Sequence, residues 1–332
     1  MSFGFTHSII CINGLTIIKA IFSDHQLVVV GIYLIGGNCG NALGTLISSA
    51  FSEQTGIVMK CVNSTFTIIG VFVIGLFYVR NLPSTIDQSL AEEPFCKNHL
   101  KRIFKNRRFV LNLLGNVMLC SYITGYSTWI PSFNKFRDLT YGRKILGKDS
   151  NTYFGICIFL LNTFGICIST ILSRKIMQNQ KKLFLVILSL CFLSATFLNI
   201  GIELADSVLS ASIFVNSLSG FFAMYAYVIS FTIALEVIPL KIISTALGIS
   251  QISADLIGNA FSPLLVGLST DICKGHWWDD RNYQYYTDYK CLGFSLQLTS
   301  IFIVIAEVFY IFLYTVWNSS TEQELESKQL LK

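Results

Sequence analysis

Charged residues are scarce in this chain of 332 residues: Asp, Glu, Lys and Arg make up 13% of it, whereas hydrophobic residues make up 53%. The longest polar stretch, 81–108, is too short to form a hydrophobic core of its own, which excludes a separate soluble domain. The sequence has no phosphate-binding loop, no GxSxG motif and no HExxH motif, so we predict no enzyme activity and no catalytic residues. No Cys–His spacing indicates a metal site, and we expect no cofactor.

Long apolar stretches are abundant instead. Nine of them can cross a bilayer, which takes roughly 20 mostly apolar residues in a helix. They are continuous rather than alternating, which predicts helices and excludes the strands of a membrane barrel. We therefore predict an all-α integral membrane protein with about nine transmembrane helices. The predicted spans are 5–22, 27–50, 60–80, 109–133, 153–173, 183–204, 208–239, 242–270 and 292–317.

The basic residues lie between the spans and do not form one patch, so the net charge of +5 does not indicate a nucleic-acid partner. The loop 81–108 and the turn 174–182 are rich in Lys and Arg, and the positive-inside rule places both in the cytoplasm. The loop 134–150 is the exception, because it carries basic residues on the predicted outer side. The span order predicts a partial N-terminal half with three helices (1–80), a cytoplasmic basic linker (81–108), a C-terminal six-helix half (109–317) and a cytoplasmic tail (318–332).

Most cysteines that lie well inside spans are interpreted as small apolar residues. Cys273 and Cys291 differ, because they flank the last predicted outer loop. They can form a disulfide if that loop is extracytoplasmic, where the redox compartment permits one.

Small residues mark two places where helices can approach closely. Gly36, Gly40 and Gly44 are four residues apart and share one helix face, which favours either ordinary packing or a seam at which two helices slide during gating. A second cluster contains Gly258 and Pro263. Because a proline inside a span frees a backbone carbonyl, we interpret this cluster as a structural kink in preference to a substrate contact.

An ionisable residue inside a span is a functional candidate, because burying a charge in lipid is costly. Asp255 lies near the middle of the eighth span, where it is either a protonation site for coupled transport or a partner in a helix–helix hydrogen bond. The fourth and seventh spans combine amides with aromatics, which suits an amphipathic substrate but is also common in helix packing. The predicted substrate contacts are Asn112, Asn116, Tyr126, Asn216 and Tyr225.

Several of these segments resemble the spinster family of major facilitator transporters. The residues Gly258-Asn259-Ala260-Phe261-Ser262-Pro263 are similar to the family motif G-D-A-x-S-P, and Gly40-Asn41-Ala42-Leu43-Gly44 is similar to G-S-G-L-G. The chain departs from the family at Asn259, where the motif has Asp, and at His7, where the family has Glu. Transporters of this type have two six-helix halves built from three-helix repeats. The resemblance implies the same helical bundle, with the chain starting near the family's fourth helix and the first three helices missing.

The resemblance also implies a function. We expect transport of a lipid of the sphingolipid or lysophospholipid type by alternating access, across the plasma membrane or an endolysosomal membrane. One alternative is a non-transporting, truncated membrane protein that binds or regulates a full-length relative. Another is a facilitator of sugars or organic anions, although these spans supply few polar and charged groups for such a substrate.

Overall fold

The structure is a computed structural model that describes residues 97–142, 150–176, 180–238, 242–277 and 284–330. Every regular element in these ranges is helical, as predicted. The helices are α1 (Lys97–Lys105), α2 (Arg107–Tyr141), α3 (Ser150–Ile176), α4 (Gln180–Leu204), α5 (Leu209–Val237), α6 (Ile243–Ser253), a π-helical segment (Ala254–Phe261), α7 (Ser262–Trp277), α8 (Gln284–Leu298) and α9 (Ser300–Leu330).

Six stretches of these helices are long and apolar enough to cross a membrane, which agrees with the six spans predicted after residue 108. They are Arg107–Tyr141, Ser150–Ile168, Lys182–Leu204, Leu209–Val237, Thr245–Gly275 and Tyr285–Asn318. The π segment joins α6 to α7 within one of these stretches, and α8 and α9 follow each other within another. The predicted spans 5–22, 27–50 and 60–80 lie outside the described residues.

The helix α2 lies at the centre of the bundle, where it packs against α5, α7, α8, α9 and the π segment. Two further contacts, α4 with α5 and α3 with α5, complete the packing around α5. The helices α2 and α5 are accordingly the most buried spans, whereas α3 and the α6–α7 stretch are the most exposed. Because lipid is as apolar as leucine, close packing and interhelical hydrogen bonds hold such a bundle together.

The start of α2 is fixed by Asn106, whose extended backbone interrupts the helix after α1. Its side-chain oxygen accepts a hydrogen bond from the Phe109 N–H at 3.3 Å, which is the usual role of asparagine at a helix N-terminus. Its amide nitrogen donates to the Val237 carbonyl at 3.3 Å and so ties the start of α2 to the end of α5. The α1 helix lies inside the predicted linker 81–108, so part of that linker is folded.

The other end of α2 extends beyond the predicted span 109–133, and the reason is tertiary packing. Phe133 stacks on Tyr289 with ring centroids 4.9 Å apart, and the buried Arg137 donates a hydrogen bond from Nε to the Ala205 carbonyl. The backbone N–H and the hydroxyl of Ser150 both donate to the Asp138 carboxylate, at 3.0 and 2.6 Å, and anchor the start of α3. These contacts hold α2 helical as far as Tyr141.

Candidate functional site

The five predicted substrate contacts lie on α2 and α5, and all five are buried. They do not form one compact group. Asn112 and Tyr126 are 14 residues apart, which is about 21 Å along a helix axis. Asn216 and Tyr225 are nine residues apart, which at 100° per residue places them on opposite faces of α5. As positions of substrate contact, these residues stay predictions.

Three of them form hydrogen bonds between helices. Asn112 Nδ2 donates to the Ser230 carbonyl at 3.1 Å, and the Tyr126 hydroxyl donates to the Asn216 carbonyl at 2.7 Å. The side-chain oxygens of Asn116 and Asn216 accept no hydrogen bond from the described residues. Each of these two oxygens can therefore still accept one from water or from a substrate that reaches the α2–α5 interface.

A group of hydroxyls joins α2, α4 and α5. The Tyr122 hydroxyl donates to the Ser194 carbonyl at 3.1 Å and lies 2.6 Å from Ser219 Oγ. Ser194 Oγ in turn donates to the Ser219 carbonyl at 2.8 Å. All three side chains are buried. Because its polar atoms find partners within the bundle, this group fixes the packing of three helices and is not open to a ligand.

The predicted packing residue Gly258 lies in the π segment, where it faces α2. A Cβ atom added to Gly258 would lie 2.9 Å from Cys120 Cβ and 3.3 Å from both the Ser121 N and the Val117 carbonyl oxygen. A side chain at position 258 would therefore push the π segment and α2 apart. The Gly36, Gly40 and Gly44 row lies outside the described residues.

The predicted distortion near Pro263 is a π-helical stretch that ends two residues before the proline. Proline provides no N–H for the preceding turn, which favours a departure from regular α-helix at this point. Two side chains secure the junction to α2: the Ser262 hydroxyl donates to the Ser121 carbonyl, and Trp129 Nε1 donates to the Pro263 carbonyl at 2.9 Å. π-Helical turns occur frequently at functional sites.

A chain of polar side chains runs along the outward side of this junction. Gln251 Nε2 donates to Asp255 Oδ1 at 3.1 Å, and Asn259 Nδ2 donates to the same oxygen at 2.8 Å. The Thr124 hydroxyl of α2 donates to Asn259 Oδ1 at 2.5 Å. Both of these bonds join Asp255 to residues of its own helix run, and Asn259 links the row to α2. The two predicted interpretations of Asp255, a protonation site or a helix–helix hydrogen bond, stay predictions.

Two exposed hydroxyl residues on the next turn of α2 extend this row. The six residues together are called the polar seam: Thr124, Ser127, Thr128, Gln251, Asp255 and Asn259. Because polar groups at membrane depth generally face a bundle interior or an aqueous cavity, the polar seam is the candidate functional site. Exposed apolar side chains flank it at Leu256, Ile257 and Phe261.

Most residues of the polar seam were not predicted from the sequence, although their four-residue spacing could have indicated them. Gln251, Asp255 and Asn259 are spaced four apart, and Thr124 and Thr128 are spaced four apart on another span. Each spacing places side chains on one helix face. What the spacing could not reveal was that the two rows meet, because this depends on the approach of α2 to Gly258.

A second polar cluster lies at the end of the bundle opposite α1, around Asp206, which is in the turn between α4 and α5 and outside the membrane-spanning stretches. The Asp206 carboxylate accepts hydrogen bonds from the Tyr141 hydroxyl at 3.0 Å and the Tyr289 hydroxyl at 2.7 Å, and it forms an ion pair with Lys290. Burial alone would raise the pKa of Asp206, but the hydrogen bonds from Lys290, Tyr289 and Tyr141 outweigh burial and lower it.

The same end holds the disulfide between Cys273 and Cys291, whose Cα atoms are 5.6 Å apart. This pairing is the one that the sequence allowed, and it links α7 to α8. No group of His, Cys, Asp or Glu that could hold a metal ion occurs among the residues that the structure describes.

Comparison with known proteins gives a family match over most of the chain. Residues 1–263 match the model of the Major Facilitator Superfamily. Protein spinster homolog 1 of Mus musculus is 24% identical over 305 residues, covering 85% of this chain and 56% of the mouse protein. Protein spinster homolog 3 of Danio rerio is 23% identical over 309 residues, covering 89% of this chain and 61% of the fish protein. The chain thus spans less than two thirds of the length of these relatives.

Proposed function

Because the chain belongs to the major facilitator superfamily, as a spinster-type member, we propose that it transports an amphipathic lipid across a membrane by alternating access. The observation that carries this proposal is the polar seam, a row of polar side chains at membrane depth that runs from the buried Gln251 through the half-buried Asp255 and Thr124 to the exposed Asn259, Ser127 and Thr128. Such a row is costly against lipid tails and useful as the wall of a cavity. The protein is an integral membrane protein, and a plasma-membrane or endolysosomal location is part of the proposal.

The chemistry around the polar seam favours a substrate with a polar head and an apolar body. Thr124, Asn259 and Asp255 offer hydroxyl, amide and carboxylate groups to a headgroup. Leu256 and Phe261, which are 66% and 50% exposed, offer apolar surface to an acyl chain on the same helix run. A lysophospholipid or a sphingolipid has both parts.

Asp255 is the proposed site of proton exchange. It is an ionisable residue of the polar seam, and two amide N–H groups hold one of its oxygens in place. Loss or gain of a proton there would change the hydrogen bonds to Gln251 and Asn259. Asn259 in turn holds Thr124, so the change would reach the contact between the π segment and α2.

The domain boundaries from the sequence are kept as part of this proposal. Residues 1–80 supply part of a first half, 81–108 a cytoplasmic linker, 109–317 the second half and 318–332 a cytoplasmic tail. Rocking of the halves about a cavity near the midplane would expose the polar seam to each side in turn.

The test is efflux of a fluorescent lysophospholipid or sphingosine analogue from loaded cells that express the full chain. Thr124→Val should reduce efflux, because it removes the hydroxyl that links α2 to Asn259. Thr196→Val is the matched control, since the Thr196 hydroxyl donates only to the Phe192 carbonyl of its own helix at 2.8 Å. Equal efflux from the two variants would remove the polar seam from the transport path.

A second comparison isolates Asp255. We expect Asp255→Asn to abolish the dependence of efflux on the pH gradient, because an amide cannot exchange a proton in this range. If efflux keeps its pH dependence in this variant, the proposed proton exchange at Asp255 is contradicted, but the transport proposal is not. Efflux from the wild-type chain that never exceeds the empty-vector control would instead favour the alternative, a non-transporting protein that binds or regulates a full-length relative.

A further inference from the structure

The short helix α1 has two different sides. Ile103 is buried and packs with Phe109 and Leu113 in a small apolar cluster at the end of the bundle. Phe104, the next residue, is 54% exposed. The first side docks α1 onto α2 and α5, so the helix is held in place, and the second side is open to its surroundings.

The open side combines an aromatic ring with positive charge. Lys101 and Lys105 are exposed and four residues apart, and Phe104 lies between them, so the three form one continuous patch. Neither lysine forms an ion pair with another residue of the described ranges. Arg102 is set apart from this patch, because it lines a cavity of about 120 Å³ together with Ile238 and Ile242.

Three basic residues at the opposite end of the bundle are paired with a carboxylate or buried. Lys274 pairs with Asp288 at 2.6 Å, and Lys290 pairs with Asp206. Arg137 is fully buried. These three charges at that end are therefore paired or buried within the protein, and Lys135 is an exposed exception. On α1, by contrast, both Lys101 and Lys105 leave their charge open to an external partner.

We propose that α1 is an interfacial helix that binds the anionic headgroups of the membrane leaflet at its end of the bundle. Phe104 enters the boundary between headgroups and acyl chains, and Lys101 and Lys105 contact lipid phosphate and carboxylate groups. A helix with an aromatic residue beside lysines is suited to this position. The attraction falls off within about 10 Å at 0.1 M salt, so it acts only because α1 is fixed close to the bilayer. This inference does not depend on transport.

The experiment uses the full chain with the photo-crosslinking residue p-benzoylphenylalanine at position 104, reconstituted in nanodiscs of equal parts phosphatidylserine and phosphatidylcholine. Each lipid is radiolabelled in turn. Crosslinks should favour phosphatidylserine, by about fivefold for each basic residue engaged. Lys101→Gln with Lys105→Gln should bring the ratio of the two lipids close to one, and so should 0.5 M salt.

Two controls separate this site from ordinary lipid contact. The same crosslinker at Val208, which is 50% exposed at the opposite end and has no Lys or Arg within four residues in the sequence, should show no preference for phosphatidylserine. Lys135→Gln, an exposed lysine at that end, should leave the ratio at position 104 unchanged. Crosslinks from position 104 to protein instead of lipid, or an equal preference at positions 104 and 208, would overturn the proposal. Size-exclusion profiles check that each variant is folded.

Discussion

Replacing Gly258 by alanine tests the close approach of the π segment to α2. The new Cβ would lie 2.9 Å from Cys120 Cβ, about 0.6 Å inside the shortest favourable carbon–carbon separation of about 3.5 Å. Its other two neighbours are the Ser121 N and the Val117 carbonyl oxygen, both backbone atoms at 3.3 Å. None of these atoms can rotate away, so the helices must separate. Forced overpacking of this kind costs about 1–3 kcal/mol.

The assay is the fraction of protein that stays monodisperse in detergent after heating, followed by size-exclusion chromatography. Gly258→Ala should lose its monodisperse peak at a lower temperature than the wild type. Gly275→Ala is the matched control in the same helix run, because nothing lies within 4 Å of a Cβ there. Adding Cys120→Gly to Gly258→Ala should restore part of the stability, since it removes the nearest atom but leaves the two backbone contacts.

Equal behaviour of Gly258→Ala and Gly275→Ala would refute the close approach, and with it the position of Asn259 beside Thr124. A lack of rescue by Cys120→Gly, with Gly258→Ala destabilised, would show that the backbone contacts dominate. The same variants can be measured for efflux. We expect Gly258→Ala to slow transport more than Gly275→Ala does, because the altered contact adjoins the polar seam.

Three further predictions concern stability. Tyr122→Phe should destabilise the protein by about 1 kcal/mol, in the range of interhelical hydrogen bonds in membranes, and more than Tyr225→Phe, whose hydroxyl makes no hydrogen bond with a described residue. Asp206→Asn should cost under about 1 kcal/mol at pH 7, because the ion pair is partly exposed, and less still in 0.5 M salt. Reduction of the Cys273–Cys291 disulfide should cost about 3 kcal/mol.

The pH dependence at Asp206 has a definite sign. Its pKa is lowered in the folded protein, so its contribution to stability is present above the ordinary range of an aspartate and is lost as the pH falls through the lowered value. The difference between wild type and Asp206→Asn should therefore be constant near neutral pH and shrink below about pH 4. A difference that grows on acidification would contradict the hydrogen bonds from Tyr141, Tyr289 and Lys290.

Each of these predictions has a direct readout. Thermal unfolding in detergent measures Tyr122→Phe and Asp206→Asn, and similar stability of Tyr122→Phe and Tyr225→Phe would count against the Tyr122 hydrogen bonds. Peptide mapping without reduction should recover a fragment that joins Cys273 to Cys291. Alkylation of both cysteines without prior reduction would show that the disulfide is absent.

The sequence predicted the helical class and the six later spans because continuous apolar runs determine both. The helix α2 continues beyond the predicted span 109–133, since Asn134 and Arg137 look polar in the sequence but are buried in the fold. The distortion before Pro263 was predicted from the proline, but its π-helical form depends on packing at Gly258. The polar seam needed two helices to meet, and no spacing within one span can indicate that.

The predicted substrate contacts illustrate the same limit. Asn112, Asn116 and Tyr126 share one side of α2, as their spacing indicated, but that side packs against α5. Periodicity identifies which side chains lie together, and it does not distinguish a face that lines a cavity from a face that packs on a neighbour. On another side of the same helix, Thr124 is half-buried and Thr128 is exposed.

The central claim, that this chain carries a lipid across a membrane along the polar seam, is tested most directly by efflux from proteoliposomes. Purified full chain is reconstituted with a fluorescent lysophospholipid inside, and its appearance outside is followed on imposing a pH gradient. The account predicts efflux above that of protein-free liposomes, reduced in Thr124→Val and unchanged in Thr196→Val. Efflux equal to that of protein-free liposomes, from protein that remains folded and monodisperse, would contradict it.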